Sequence, residues 1–313
     1  MFRKLSLLLP LGAIATGVLL GKGGRAHAED GDKTERNERC ATRLSLSLLG
    51  KSATPEFMSS AAPQEQVERM LGTPEFNERM ASFLNATFNT GPGANPEDDA
   101  VYFLAKYTLE QGKPHRDLFV GGYRVDKTDT GATVVPDAEG LGYFRSRGWQ
   151  VRYAGNESEG VKIVTAYRML SNVLGFEMPA TTAKPGEDRT ATGRKAAECK
   201  GCHFDEWFAL DKMANVLTRR KGMGETMTFV ASTEGPQQLF GKSIKDDKEL
   251  VTTMVDSDGW KFAQCRNVFK FLYGRAENQC EAPIFDKCVE ALETKGTLKS
   301  AVAVVAQDPS FCQ

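Results

Sequence analysis

The chain has 313 residues, with 40 Lys+Arg against 41 Asp+Glu, seven cysteines and three histidines. The even charge balance argues against a nucleic-acid binder, which carries a basic surplus or stripe. With 26% charged and 41% apolar residues the chain is neither disordered nor collagen-like, and it is long enough to bury a real core in one large domain or two ordinary ones.

Arg3 and Lys4 precede an apolar run over residues 5–20, and Ala26-His27-Ala28 places small residues where a signal peptidase reads them. This pattern predicts a signal peptide over 1–28, cut after Ala28. Pro10 and the glycines at 12 and 17 argue against an uncleaved membrane anchor. Cleavage removes Arg3, Lys4, Lys22 and Arg25, leaving 36 basic and 41 acidic residues. It also removes His27, so His115 and His203 are the imidazoles that remain. Export to the periplasm or cell envelope would put the cysteines where thiols oxidise.

Residues 29–178 read as a mainly helical N-terminal domain. Its first ten residues are polar and expected to fray. From residue 37 to 49 Cys40, Leu44 and Leu48 recur at helical spacing. Thr54-Pro55-Glu56-Phe57 and Thr73-Pro74-Glu75-Phe76 repeat four letters. Each reads as a helix start, with Thr as N-cap, Pro at the first helical position and Glu in the first turn. Phe76, Met80, Phe83 and Leu84 then form one apolar stripe.

Gly, Pro and Asn mark a loop over 90–99, followed by a helix near 98–111. Residues 112–157 are irregular and glycine-rich, with β-like pieces over 133–135 and 149–153. Helical spacing resumes near 159 and runs through Val164, Tyr167, Leu170 and Leu174. A polar stretch over 179–195, with Pro179 and Pro185, reads as a linker. Beyond it, 196–313 reads as a second helical domain, with helices near 204–221, 246–257, 259–274, 283–295 and 297–307.

Within that second domain Cys199-Lys200-Gly201-Cys202-His203 has the attachment spacing of a c-type haem. Thiols three residues apart share one helical turn and can add to the two porphyrin vinyl groups. The adjacent imidazole supplies the proximal iron ligand. A structural zinc site wants a second ligand pair, which the chain lacks. A thioredoxin-like motif wants a βαβ context, whereas this one lies between a linker and a helix. The expected fold is therefore mainly α: a helical N-terminal region plus a C-terminal cytochrome c-like helical domain, with few short strands. One covalent haem c is expected on Cys199, Cys202 and His203.

The sixth iron ligand stays open at this level. His115, in the loop Lys113-Pro114-His115-Arg116, is the other imidazole, although a lone loop histidine is more often a solvated surface residue. Met178, Met223, Met227 and Met254 are candidates, each with core filling as the plainer role. Met213, about 15 Å along a continuous helix from His203, points elsewhere. A vacant position is the remaining alternative. Phe204, Trp207 and Phe208 follow the motif and suit either packing on a porphyrin or the face of an ordinary core helix.

Residues 199–220 (CKGCHFDEWFALDKMANVLTRR) resemble the haem-binding segment of exported planctomycete- and myxobacterial-type mono-haem cytochromes, through Phe208-Ala209-Leu210 and Arg219 or Arg220. Trp207 stands where that pattern has Gly. Residues 259–311 are similar to the helical domain that follows in this family, through Phe262-Ala263-Gln264-Cys265, Tyr273-Gly274-Arg275 and the ending over 298–311. The opening over 43–81 and the piece over 168–179 are similar as well, whereas 85–157 match nothing in it. The resemblance implies an exported mono-haem redox protein and carries over Cys199, Cys202 and His203 as haem residues.

Five cysteines remain: Cys40, Cys265, Cys280, Cys288 and Cys312. An up-down-up arrangement of the last helices favours one bridge among Cys280, Cys288 and Cys312 and disfavours Cys265–Cys312. Cys40–Cys265 is a permissible second bridge. The functional expectation is an electron carrier serving a periplasmic redox partner. The alternative is a haem-dependent oxidoreductase or ligand sensor with an open sixth position.

Overall fold

The computed structural model of the chain describes residues 23–89, 91, 99–129, 131–153, 163–178, 185–221 and 228–313. The apolar run at the N-terminus, most of the loop over 90–99, the helix start expected near 159, residues 179–184 of the 179–195 linker, Met223 and Met227 lie outside them. Among the described residues no helix is long and apolar enough to cross a membrane.

The fold is mainly helical, as the periodicity predicts. Helix α1 (Gly23–Leu44) extends through residues 29–38, where fraying was expected, and continues into a π-helical turn (Ser45–Leu49). Its i,i+4 ion pairs Arg36–Asp32 and Arg39–Glu35 support that polar stretch. Cys40, Leu44 and Leu48 all face the core.

Both Thr-Pro-Glu-Phe segments start helices. The Thr54 hydroxyl accepts the Phe57 amide at 3.2 Å to cap α2 (Pro55–Met58). After α3 (Val67–Leu71), the Thr73 hydroxyl accepts the Phe76 amide at 3.3 Å to cap α4 (Pro74–Phe88). Helix α5 (Ala100–Glu110) packs on α4, with Tyr102 and Lys106 both bonded to Glu78.

Next come α6 (Asp117–Val120), the antiparallel hairpin β1 (Tyr123–Thr128) and β2 (Gly131–Pro136), and α7 (Arg147–Tyr153). The strand expected over 133–135 falls within β2. Residues 149–153 are helical instead of extended. Their apolar side chains serve an aromatic cluster in which Phe88, Phe119, Tyr143, Phe144, Trp149 and Tyr153 pack ring to ring. That packing overrides the local β preference of the Trp-Gln-Val-Arg-Tyr run. Gly142 makes the close approach possible: its φ is +49°, and a Cβ there would collide with the Leu118 carbonyl oxygen.

Helix α8 (Ile163–Leu174) buries Ala166, Met169, Leu170 and Val173 against the helices of the C-terminal half. Residues on both sides of the 179–195 stretch share one hydrophobic core, from Cys40 to Phe311.

The helix expected over 204–221 is broken. Short α9 (Ala197–Lys200) passes into a π-helical turn (Gly201–Asp205), the chain reverses, and α10 (Leu210–Val216) follows. Two small hairpins come next: β3 (Arg219–Lys221) with β4 (Thr228–Val230), and β5 (Gln237–Leu239) with β6 (Lys242–Ile244). Helices α11 (Asp247–Val255), α12 (Asp258–Tyr273), α13 (Ala282–Thr294) and α14 (Leu298–Ala306) complete the chain close to the expected bounds. Buried Asp247, at the start of α11, is clasped by Arg145 at 2.7 Å, which ties the segment before α7 to the C-terminal helices.

The disulfides differ from the expected pairing. Cys265 joins Cys288, and Cys40 joins Cys312; no bridge forms among Cys280, Cys288 and Cys312, nor between Cys40 and Cys265. Cys265 lies midway along α12 and bonds to Cys288, midway along α13. Around the Cys40–Cys312 bridge, the Arg43 guanidinium lies over the rings of Tyr273 and Phe311, and the Gln64 amide donates to the carbonyls of Ala306 and Asp308. Cys280 is exposed and unpaired.

Candidate functional site

The motif occupies the continuous turn formed by α9 and the π-helical segment, so Cys199 and Cys202 are one helical step apart. Both are free thiols, whereas four of the other five cysteines are paired. Cys202 is exposed and Cys199 is half-buried.

His203 is oriented by a residue that sequence reasoning missed. The chain reverses over residues 206–209, with the Ala209 amide bonded to the Glu206 carbonyl, and α10 then brings Asp211 back to the motif. His203 Nδ1 lies 2.7 Å from Asp211 Oδ2. Had residues 204–221 formed one helix, positions 203 and 211 would be two turns apart and out of reach. The same break removes the basis for placing Met213 by helical rise. Met213 is fully buried in the core.

Asp211 is held from its other side by Arg194, in the turn Gly193–Lys195. Arg194 Nε reaches the two carboxylate oxygens at 3.2 and 3.0 Å, and Nη2 reaches Oδ1 at 2.8 Å. Burial pushes the Asp211 carboxyl pKa up, but the bonds from His203 and Arg194 more than offset this and leave it lowered. An acidic residue inside the apolar run Phe208-Ala209-Leu210-Asp211 was the signal available in the sequence. Buried carboxylates of this kind need partners.

With Nδ1 engaged, the His203 Nε2 atom has no partner among the described residues. That tautomer carries its proton on Nδ1 and a lone pair on Nε2, which is what a metal-ligating imidazole requires. The thiols and the imidazole do not converge on a point. Among the described residues no group of three or more His, Cys, Asp or Glu side chains is placed to hold a metal ion. Two unpaired thiols beside an oriented imidazole do fit covalent haem.

Aromatic side chains border the motif. Trp207, about half exposed, meets Phe176, Phe208 and Phe240 edge-on at 5.8, 5.1 and 5.3 Å. Phe240 takes a left-handed backbone (φ +51°) at the tip of the β5–β6 hairpin, where glycine or asparagine is usual. Its amide bonds to the Trp207 carbonyl at 3.3 Å, which anchors the hairpin to the motif. Phe204 lies under the Lys195 ammonium. Neither Phe176 nor Phe240 was singled out from sequence, because each comes from a distant element.

The other candidate ligands scatter. His115 is not a solvated loop residue. It is buried, its Nε2 lies 3.1 Å from Gln264 Oε1, and its ring stacks on Trp260 at 5.8 Å. Met254 is fully buried on α11, and Met178 is half-buried two residues beyond Phe176. Comparison with known proteins finds no family model, no curated protein and no solved structure that matches the chain.

Proposed function

We propose that the protein is an exported mono-haem c-type cytochrome that carries electrons between periplasmic partner proteins. Cys199 and Cys202 would hold haem c through thioethers, and the His203 imidazole would ligate its iron. When bound, that group supplies a one-electron Fe(III)/Fe(II) couple. The observation that carries this is the attachment spacing on a helical turn whose thiols are unpaired and whose histidine is held by Asp211, with Nε2 free of partners among the described residues. Asp211 orients the ring, and Trp207 with Phe176 and Phe240 offers an apolar surface next in the chain to the motif.

A second reading, a ligand-binding or oxidoreductase haem with an open sixth position, is favoured by the burial of His115 in the core beside Gln264. One experiment tests both. The chain is expressed with its leader in a host able to attach haem c, and the purified protein is examined by mass and by oxidised and reduced spectra, with and without carbon monoxide. One covalent haem in a low-spin form indifferent to carbon monoxide supports the electron carrier. A high-spin form that binds it supports the second reading. A purified protein lacking covalent haem refutes both.

A further inference from the structure

His203 could have been oriented by a backbone carbonyl. It is oriented instead by a buried carboxylate with a cation of its own. Asp211 is 5% exposed, and its backbone is set by neighbours Leu210 and Met213 in the core. Its oxygens are shared between His203 Nδ1 and Arg194, and Arg194 in turn donates to the Arg189 carbonyl. The carboxylate is therefore held on the imidazole by contacts from both sides.

A charged acceptor does more than orient the ring. A carboxylate drawing on the Nδ1 proton gives the imidazole partial anionic character and makes Nε2 a stronger donor. A stronger axial donor favours ferric over ferrous iron and lowers the reduction potential. Arg194 competes for the same carboxylate and withdraws part of that charge, so it acts in the opposite sense.

We propose, on the footing of the haem reading above, that Asp211 and Arg194 are an opposed pair of positioning residues. Asp211 pulls the potential of the His203-ligated iron down, and Arg194 limits how far. Neither touches the iron, and both act through the His203 ring.

The test is redox titration of the purified holoprotein and of D211N and R194Q, each first checked by mass for one covalent haem. D211N keeps the shape and loses the charge. It is expected to shift the reduction equilibrium towards ferrous iron by tenfold or more, about 59 mV for a one-electron couple. R194Q is expected to shift it the other way. If the ferrous iron is five-coordinate, resonance Raman should in addition show a weaker iron–imidazole stretch in D211N and a stronger one in R194Q.

Shifts of the same sign in both variants, or none, overturn the inference, because a site that is merely loosened has no reason to respond in opposite directions. If D211N does not accumulate, R194Q decides alone: a lowered potential supports the pair, and a raised or unchanged one overturns it. Absence of covalent haem from the unsubstituted protein would instead overturn the haem reading itself, so the two failures are distinct.

Discussion

His115 makes the stability of this protein depend on pH in a calculable way. Burial pushes the imidazole down from 6.5 to about 4, opposed only in part by the bond to Gln264. Lys113 and Lys299, which line the same small cavity, offer no counter-charge. The unfolded chain then binds a proton more readily than the folded one, so stability is full above pH 6.5 and is lost as pH falls towards 4. At 1.36 kcal/mol per unit, the loss is about 3 kcal/mol, a large fraction of the stability of an ordinary domain.

The comparison that isolates this effect is urea unfolding of the unsubstituted protein and of H115Q at a series of pH values from 7 to 4. Carboxylates such as Asp211 and Glu281, lowered by their cationic partners, also cost stability in acid, but they are common to both proteins and cancel in the difference. H115Q should be the less stable protein at pH 7, through lost ring packing with Trp260 and Phe119. The gap should close by about 3 kcal/mol on acidification. Parallel curves, with a gap constant to within about 0.5 kcal/mol, would show that His115 is solvated or charged in the folded state and would refute the reasoning.

Two further outcomes follow from the packing. The disulfides close loops with sequence separations of 272 and 23 residues; on loop-closure entropy, C40A/C312A should cost about 5 kcal/mol and C265A/C288A about 3. Denaturant unfolding that ranks the short loop above the long one contradicts this origin. R145M leaves Asp247, 1% exposed, without its guanidinium. A loss of about 3 kcal/mol or more in thermal or urea unfolding is expected, partly restored in R145M/D247L, because an unpaired buried charge costs more than an absent pair. A loss below about 1 kcal/mol would mean that Asp247 finds water.

What could be read in the sequence was local. Thr54 and Thr73 cap their helices through chemistry confined to four residues, and the Cys40, Leu44, Leu48 spacing needs only one helix to express it. The spacing of Cys199, Cys202 and His203 is equally local, and the structure keeps those three on one turn. Contacts made across the fold were not legible. Asp211 reaches His203 only because the chain reverses over 206–209, and apolar periodicity does not distinguish that break from a continuous helix. Trp149 and Tyr153 look like strand residues until Phe144 and Tyr143 are placed beside them. Cysteine pairing depends on which helices lie side by side, and on the level of Cys265 along α12, neither of which is written in the spacing. The irregular stretch 112–157 owes its place to the aromatic half of the core that it builds, and the hairpins that follow α10 are too short to show a period.

The bridge between Cys40 and Cys312 makes the two ends of the span it encloses a single mechanical point, with their Cα atoms 4.8 Å apart. A load applied between the termini is carried by that covalent link. It does not pass through the residues enclosed between the two cysteines, the motif turn included. Tethering the protein by its ends, to a surface or to a partner, therefore loads the part of α1 before Cys40 and leaves the helices that follow α1 and the Asp211–His203 contact free of tension.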